Sequence, residues 1–301
     1  MKLSKLLKDL TEIEVHGSKS VEITGISNHS KVVGPGNLFI ASKGYKTDGA
    51  QFIPEAVGAG AAAIVTDIFD PTFKQVTQIV HENPAALQGI LAARYFEHAD
   101  KELFTVGVTG TKGKTTTTYL IHHLLNSLGM STGLMGTIET RIATHSYPSS
   151  LTTADVLTNH RMLREMVCRG MQAAVMEVSS HALDQGRVNE IKFDIALLTN
   201  LAPDHLDYHH TLEAYYGAKS LLFKDVKKKA VANRDCPGWE KVVKTNAPLF
   251  TYAIDREADL RAKEINTSAS GTEFVLEYGA ETAFVKTTLV GKHNVYNILA
   301  A

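Results

Sequence analysis

The sequence predicts an α/β fold whose main sheet is doubly wound and mostly parallel. Between residues 104 and about 235, apolar runs of strand length alternate with helical stretches, which is the pattern of parallel strands with helices on both faces. A glycine-rich loop separates the first of these strands from the first helix. From residue 259 to 290, alternating strands around two glycine turns predict an antiparallel meander at the edge of the same domain.

Two domains are predicted, spanning residues 1–100 and 101–301. The polar segment 99–102 marks the boundary between them. Asn83 and Pro84 predict the start of a helix before this boundary, because asparagine is a good N-cap and proline fits the first helical position. Strands are predicted at 38–41, 61–65 and 76–80 in the first domain, and at 104–109, 132–136, 173–178, 195–200, 274–278 and 282–289 in the second.

Composition predicts a soluble globular protein. The chain has 301 residues, of which 44% are hydrophobic and 21% charged, and its net charge is −1, so no nucleic-acid partner is expected. We interpret the basic run of Lys224 and residues 227–229 as a solvated helix end. Cys168 and Cys236 suggest neither a disulfide nor a metal cluster. Without a signal peptide core or an apolar run of roughly 20 residues, we expect a cytoplasmic protein that does not insert into membranes.

The segment 105–117 predicts a phosphate-binding loop. Backbone N–H groups of such a loop surround a polyphosphate, a lysine such as Lys114 reaches the outer phosphates, and a hydroxyl such as that of Thr115 holds Mg²⁺. The common pattern has a glycine at position 108, where this chain has Val108 and places Gly110 instead. An ordinary strand-to-helix turn would also explain a Gly-Lys-Thr tripeptide, but the flanking strand and helix predict a complete βα unit.

Polar side chains follow the next two central strands. Glu177 ends an apolar strand, where an unpaired carboxylate is costly to bury, so a metal or another cation is expected beside it. His205 follows the strand at 195–200, and the ends of parallel strands meet at one edge of the sheet. Glu177, His205 and Thr115 are therefore predicted to converge on one cation, whereas His209 and His210 are interpreted as residues of a polar loop.

Several segments resemble the ATP-dependent Mur ligases of peptidoglycan synthesis. In the central domain the similar segments are 109–116, 176–183 with Arg187, 199–201, 204–209, 218–219 before 221–223, and 291–297. In the first domain, residues 35–39, 44–49, 52–54 and 60–63 resemble the family's uridine-binding domain. The resemblance covers nearly the whole chain, and its motifs occur in the family's order.

The resemblance implies a set of binding residues. ATP would be bound by Gly110, Thr111, Lys112, Gly113, Lys114, Thr115 and Thr116, with Asn294 and Asn297 facing the adenine. The UDP end of the substrate would be lined by Asn28, Ser30, Tyr45, Lys46 and Thr47, and its muramoyl-peptide end by Thr152, Thr153, Ser179, Gln185 and Arg187. Departures from the family's pattern are His29, Lys31, Lys112 and Ala154.

The same resemblance implies the reaction. The γ-phosphoryl group of ATP would pass to the D-glutamate carboxyl of UDP-MurNAc-L-Ala-D-Glu, and the amine of meso-diaminopimelate or L-lysine would attack the acyl phosphate. Lys114, Glu177, His205 and Lys219 would be catalytic. One Mg²⁺ would be held by Thr115 and Glu177, and a second by Glu177, His205 and a carbamylated Lys219, because a lysine ammonium would repel the metal.

The resemblance also sets expectations for the whole molecule. The family has a third, amino-acid-binding domain after the point where this sequence ends, so we expect a monomeric chain that binds substrate and nucleotide but ligates poorly. A ligase similar to folylpolyglutamate synthetase is also compatible with the phosphate loop, but it would not need the segment 44–49. The sequence leaves open two further functions, a plain phosphate-loop NTPase or small-molecule kinase and a non-catalytic nucleotide-binding module.

Overall fold

The structure is a computed structural model that describes residues 1–43 and 48–301. The chain forms two compact units. Unit 1 contains residues 1–99 and 156–161, and unit 2 contains residues 100–155 and 162–301.

Unit 1 is built on a five-stranded sheet with the order β1-β5-β4-β3-β2. Its elements are α1 (Leu3–Leu6), β1 (Glu14–His16), β2 (Gly25–Ser27), β3 (Asn37–Ile40), α2 (Ile53–Gly58), β4 (Ala63–Thr66), β5 (Thr77–Val80) and α3 (Pro84–Tyr95). Strand β1 pairs antiparallel with β5, and the other neighbours pair in parallel. The three strands predicted in this part of the chain are present, each within two residues of its predicted bounds.

The start of α3 differs in detail from its prediction. Pro84 occupies the first turn and Asn83 the N-cap position, but the Asn83 side chain makes no capping hydrogen bond. The backbone N–H of Asn83 donates to Nδ1 of His81 at 3.0 Å. This bond fixes the residue before the helix but does not replace the cap, which would accept from the amide of residue 85 or 86. Leu87 and Leu91 on α3 are buried in the core of the unit.

Unit 2 holds the larger sheet and most of the predicted site. Its elements are β6 (Phe104–Thr109), α4 (Lys114–Ser127), β7 (Thr132–Met135), β8 (Glu139–Ile142), β9 (His145–Pro148), α5 (Val156–Cys168), β10 (Ala173–Glu177), α6 (Ser180–Asp184), β11 (Ile195–Leu198), α7 (Leu206–His209), α8 (Leu212–Ser220), β12 (Lys229–Asn233), α9 (Trp239–Val242), β13 (Leu249–Ala253), β14 (Leu260–Ser268), β15 (Gly271–Tyr278), β16 (Glu281–Thr287) and α10 (Lys292–Ala300). The first six residues of α5, 156–161, group with unit 1.

The sheet of unit 2 confirms the predicted fold class. Within the described residues its order is β16-β15-β14-β13-β12-β11-β6-β10-β7-β8-β9. Strands from β14 to β7 pair in parallel, and β14, β15 and β16 form the predicted antiparallel edge. Strands β6, β10 and β11 lie side by side at the centre, so the segments that follow them meet at one edge of the sheet.

The second edge of this sheet was not predicted. Strands β7, β8 and β9 form an antiparallel meander there. Most side chains of β8 and β9 are exposed or half-buried, so their sequence carries no alternation of apolar and polar residues. Sequence periodicity detects a strand only when one of its faces is buried.

The basic run matches the predicted solvated helix end only in part: Lys224 is exposed and follows a 3₁₀ helix at 221–223, whereas the exposed residues 227–229 do not lie at a helix end. Lys229 begins β12, and the Nζ atoms of Lys227 and Lys228 lie 3.8 and 3.5 Å from the carboxylate of Asp194. Asp194 is 5% exposed and accepts hydrogen bonds from the amide of Thr105 at 2.9 Å and from its hydroxyl at 3.2 Å. The lysines thus neutralise a buried carboxylate that joins the beginnings of β6 and β11.

Replacement of Asp194 with alanine is expected to lower the free energy of unfolding by about 3 kcal/mol, because a buried amide loses its acceptor and the two lysines lose their counter-charge. Chemical denaturation measures the change. The matched control is Asp225→Ala, which breaks the exposed ion pair with Lys192 and should cost under about 1 kcal/mol. Equal losses in the two variants would contradict the structural role given to Asp194.

The sequence predicted neither a membrane-spanning helix nor a disulfide. In the described part of the chain, no helix is both long enough and apolar enough to cross a membrane. Both cysteines are free thiols: Cys168 is exposed and Cys236 is buried.

Candidate functional site

The loop between β6 and α4 has the backbone of an anion-binding site. Gly110 and Gly113 have φ values of +143° and +83°, which favour glycine. A Cβ atom would collide with the Thr199 hydroxyl at the first position and with the Asn297 side chain at the second. The first hydrogen bond of α4 runs from the amide of Thr117 to Gly113 O at 2.9 Å. The amides of residues 114–116 are therefore left at the open end of a 14-residue helix, where an anion is favoured.

Lys114 is folded back onto this loop. Its ammonium donates hydrogen bonds to Gly110 O at 2.8 Å and to Thr111 O at 3.0 Å. Burial lowers the pKa of the Lys114 ammonium, while the negative charges of Glu177 and Asp204 oppose that shift. The lysine predicted to reach phosphates is thus at the loop, paired with neutral carbonyl groups.

The middle of the loop is tied to the segment that follows β11. The Thr111 hydroxyl lies 2.8 Å from the Tyr215 hydroxyl and accepts a hydrogen bond from the amide of Ala202 at 3.0 Å. The amide of Thr111 donates to Asn200 O, and that of Lys112 donates to Asn200 Oδ1 at 2.9 Å. The amides of Thr111 and Lys112, both predicted as nucleotide contacts, therefore fix the shape of the loop. The side chain of Lys112 is exposed and does not help to fix the shape of the loop.

Glu177 ends β10 directly beside the start of α4. Its carboxylate is 1% exposed and accepts three hydrogen bonds: from the Thr115 hydroxyl at 2.9 Å, from the Thr137 amide at 2.9 Å and from the Thr137 hydroxyl at 3.1 Å. Gly136 leaves the room for this carboxylate, since a Cβ atom there would collide with Oε1. Thr137 was missed by sequence reasoning, although its position just after β7 places it at the same edge of the sheet.

Lys219 is buried on α8, with 1% of its side chain exposed. Its ammonium donates to Gly110 O at 3.0 Å, the carbonyl that Lys114 also contacts, and lies 4.5 Å from the centre of the Tyr215 ring. Burial, and secondly the charge of Lys114, hold the pKa of Lys219 well below its ordinary value. Both effects shift the protonation balance of Lys219 toward the neutral amine.

His205 does not hydrogen-bond to Glu177 in the described structure. Its Nε2 lies 3.7 Å from a carboxylate oxygen of Asp204, and its ring packs edge-on against His181, with ring centres 4.7 Å apart. Tyr208, His209 and Tyr215 extend this aromatic cluster. Across residues 1–43 and 48–301, no group of three or more His, Cys, Asp or Glu side chains is arranged to hold a metal ion.

The donor set fits one magnesium ion better than two. The Thr115 hydroxyl and the Glu177 carboxylate are oxygen ligands of the kind that Mg²⁺ prefers. Glu177, His205 and an unmodified Lys219 do not fit a second ion, because the lysine supplies either a positive charge or an amine nitrogen. The pair of Thr115 and Glu177 is therefore the candidate metal position that the described residues support directly.

The residues predicted for the peptide end are brought together around the end of β10. The Thr153 hydroxyl donates to Glu177 O at 2.8 Å and accepts from the amide of Ser179 at 3.1 Å. The Ser179 hydroxyl in turn caps α6 by accepting from the amide of Ala182 at 3.1 Å. The hydroxyl of Thr152 lies 3.2 Å from that of Thr137. Thr153 and Ser179 thus fix the backbone, and Thr152 lies next to the Glu177 site.

Arg187 continues this network. It donates to Thr153 O at 2.9 Å and makes two hydrogen bonds to Gln185 Oε1, at 3.0 and 2.6 Å. The amide nitrogen of Gln185 donates to the Tyr208 hydroxyl at 3.0 Å. A guanidinium fixed in this way is suited to binding a substrate carboxylate.

The predicted uridine residues lie in unit 1. The Ser30 hydroxyl donates to Glu55 at 2.6 Å, and Asn28 donates to Gln88 at 3.4 Å. Gln88 also donates to the Ser42 hydroxyl at 2.7 Å. Glu55 and Gln88, the partners of Ser30 and Asn28, were not predicted. Tyr45, Lys46 and Thr47 fall outside the described residues.

A cavity of about 330 Å³ opens beside the phosphate loop. It is lined by Lys112, Gly113, Asn200, Leu201, Asn233, Asp235, Cys236, Pro237, His293, Tyr296 and Asn297. Asn297, one of the two predicted adenine contacts, is in this wall. Asn294 is not, because its side chain donates to Val290 O and accepts a hydrogen bond from Asn297 at 3.1 Å. The remaining wall residues come from four separate segments, and sequence reasoning found few of them.

Comparison with known proteins identifies close relatives. The model of the Mur ligase middle domain matches residues 108–301, and that of the Mur ligase family catalytic domain matches residues 22–96. Proteins named UDP-N-acetylmuramoyl-L-alanyl-D-glutamate–2,6-diaminopimelate ligase from Geobacillus kaustophilus and Chlamydia pneumoniae are each 40% identical, over 310 and 305 residues. These matches cover 100% of this chain and 63% of each relative.

A solved structure of a UDP-N-acetylmuramoyl-L-alanyl-D-glutamate–2,6-diaminopimelate ligase has a similar fold. Its TM-score is 0.86 at 29% sequence identity, and the match covers 100% of this chain and 62% of that one. The chain thus spans less than two thirds of the length of the relatives that it matches.

Proposed function

Because the chain belongs to the Mur ligase family, we propose that it binds the substrates of an ATP-dependent, ADP-forming ligase of peptidoglycan synthesis, the MurE type. The reaction would add 2,6-diaminopimelate to UDP-MurNAc-L-Ala-D-Glu. The hydrogen bond between Thr115 and Glu177, at the open end of α4, is the observation that carries this proposal. The names of the relatives support diaminopimelate rather than L-lysine as the added residue.

The proposal assigns a role to each part of the chain. Residues 1–100 would bind the uridine end of the substrate through Asn28, Ser30 and residues 45–47. Residues 101–301 would bind ATP and the peptide end. We further propose that the protein is cytoplasmic, where ATP and soluble nucleotide-linked precursors are found, and that it is a monomer.

The nucleotide would bind with its phosphates at the start of α4. Lys114 would exchange its contacts with Gly110 O and Thr111 O for the β- and γ-phosphates, because an ammonium gains more from anions than from neutral carbonyls. Asn297 and the walls of the 330 Å³ cavity would hold the base and ribose. Thr115 and Glu177 would hold Mg²⁺, which when bound neutralises charge that develops on the transferred phosphoryl group.

The chemistry would then take two balanced steps. A D-glutamate carboxylate oxygen attacks the γ-phosphorus, the bond to the β–γ bridging oxygen breaks, and ADP leaves. The amine of the incoming amino acid attacks the acyl carbon, phosphate leaves, and the nitrogen loses a proton. Arg187 would orient the carboxylate for the first step, since its guanidinium is already fixed by Gln185 and Thr153.

Lys219 would act in a modified form. A neutral amine reacts with CO₂ to give a carbamate, and the lowered pKa of buried Lys219 increases the neutral fraction. A carbamate would also replace the repulsion between Lys219 and Lys114 by an attraction. This supports the proposal that carbamylated Lys219, with Glu177 and His205, holds a second Mg²⁺, although His205 would have to turn away from Asp204.

Calorimetric titration with UDP-MurNAc-L-Ala-D-Glu, with and without an ATP analogue and Mg²⁺, tests this function. Saturable binding is expected, with about a tenfold loss of affinity in Arg187→Ala because a charge-assisted contact disappears. The control is Arg169→Ala, which breaks an ion pair at the end of α5 and should leave affinity unchanged. Binding of ATP without binding of the UDP-linked substrate would instead favour a plain phosphate-loop NTPase.

A further inference from the structure

The carboxylate of Asp235, in the wall of the 330 Å³ cavity, organises the turn between β13 and β14. Asp235 lies just after β12. Its Oδ2 accepts hydrogen bonds from the amides of Ile254 at 2.6 Å and Asp255 at 2.9 Å, and its Oδ1 accepts from the amide of Arg256 at 2.9 Å. Three consecutive amides thus converge on one side chain.

The same carboxylate holds α10. The hydroxyl of Tyr296 donates to Oδ2 of Asp235 at 2.9 Å, and Lys292, at the start of α10, pairs with Asp255 at 2.9 Å. Burial alone would raise the pKa of the Asp235 carboxyl, but the amides of the turn and the Tyr296 hydroxyl together hold this pKa below its ordinary value. Asp235 therefore acts as a charged acceptor that joins helix α10 to the turn.

The position of α10 determines where Asn297 lies in the wall of the cavity. Asn297, one residue after Tyr296, is 6% exposed, and its Oδ1 lies 3.4 Å from the hydroxyl of Thr117. Its side chain also lies against Gly113, where a Cβ atom would collide with it. Rotation or translation of α10 would consequently move Asn297 relative to the phosphate loop.

We propose that Asp235 is a positioning residue for nucleotide binding: through Tyr296 it places α10, and so the wall of the cavity that faces the base and ribose. The effect is expected at this wall and much less at the phosphates, because the hydrogen bonds of Asp235 go to α10 and to the turn at 254–256, whereas Asn200 holds the phosphate loop separately. The inference rests on the proposed binding of ATP and specifies which part of the nucleotide depends on Asp235.

A matched carboxylate separates this role from ordinary turn stabilisation. Asp259 accepts hydrogen bonds from the amide and the hydroxyl of Thr251, both at 2.7 Å. Asp259 joins β13 to the start of β14, whereas Asp235 joins the end of β12 to the turn at 254–256, and Asp259 is not among the residues that line the cavity. Asp259→Asn therefore changes similar chemistry in the same part of the fold without touching α10.

The test compares binding of MgATP with binding of magnesium tripolyphosphate, which has the phosphates but neither base nor ribose. Asp235→Asn is expected to weaken MgATP binding about tenfold and Tyr296→Phe about fivefold, as loss of a charge-assisted hydrogen bond implies. Tripolyphosphate affinity should change less than about twofold in both variants. The double variant should bind MgATP no more weakly than Asp235→Asn, since both changes remove one interaction.

Tyr296→Phe removes a single hydroxyl, so it keeps the test valid even if Asp235→Asn lowers stability. Equal loss of MgATP and tripolyphosphate affinity, or the same loss of MgATP affinity in Asp259→Asn, would overturn the inference. So would unchanged MgATP binding in both variants. Failure of the wild-type chain to bind either ligand would instead refute the proposed nucleotide function itself, and the inference with it.

Discussion

Replacement of Lys114 with methionine is expected to weaken MgATP binding by about 100-fold. The ammonium would contact two phosphate groups, at about 1.5–3 kcal/mol for each charge-assisted hydrogen bond, and would give up its bonds to Gly110 O and Thr111 O, at about 0.5–1.5 kcal/mol each. Methionine keeps most of the length and apolar volume of the lysine stem, so the loop should keep its shape. The hydrogen bonds of Thr111 and Lys112 to Asn200 hold that shape independently of Lys114.

Titration with a fluorescent ATP analogue measures the effect, and thermal unfolding of the variant checks its folding. The matched control is Lys112→Met, the same change two residues earlier. The side chain of Lys112 is exposed, so its attraction to phosphate is screened by water and salt, and a change of about threefold or less is expected. Comparable losses in both variants would mean that the loop binds phosphate by general positive charge and not through Lys114.

Replacement of Glu177 with glutamine is expected to remove the magnesium dependence of ATP binding. Glutamine preserves the size of the side chain, and the hydroxyls of Thr115 and Thr137 can rotate to accept from its amide. The fold should therefore survive, while the negative charge that would hold Mg²⁺ disappears. The loss of metal affinity should exceed the roughly 10- to 100-fold that removal of an outer-sphere partner costs a metal site.

ATP titrations at several Mg²⁺ concentrations measure this effect as the ratio of affinities with and without the ion. Glu139→Gln is the control, since the Glu139 side chain accepts hydrogen bonds from Tyr119 and Arg141 and not from the Thr115 and Thr137 groups that bind Glu177. It should leave the ratio unchanged. An unchanged ratio in Glu177→Gln would show that Mg²⁺ binds elsewhere or binds only through the nucleotide.

Local sequence was sufficient for the centre of the site. The glycine loop and its flanking strand and helix are contiguous, so hydrophobic periodicity and glycine spacing predicted them together. Glu177 could be singled out because a carboxylate at the end of an apolar strand is unusual. The convergence of Thr115 and Glu177 also followed from sequence, since parallel strands bring their ends to one edge.

The features of the site that the sequence did not predict depend on contacts between residues far apart in the chain. His205 was predicted to converge with Glu177, but a left-handed backbone at His205, with φ of +52°, directs it into the cluster of His181 and Tyr215. The ion pairs of Lys227 and Lys228 with Asp194 were missed, because Asp194 lies more than 30 positions earlier in the chain. Pairing across such distances leaves no periodic signal in one sequence.

The sequence by itself determined the α/β class, the glycine-rich loop between β6 and α4 and the identity of the residues that end the central strands, because each depends on neighbours within one or two elements. Only the tertiary structure decided which polar groups those residues meet. Thr137 reaches Glu177 through the pairing of β7 with β10, Lys219 reaches Gly110 through the packing of α8, and Asp235 reaches Tyr296 through α10. Such contacts are set by how the helices pack on the sheet, and packing is a property of the whole core.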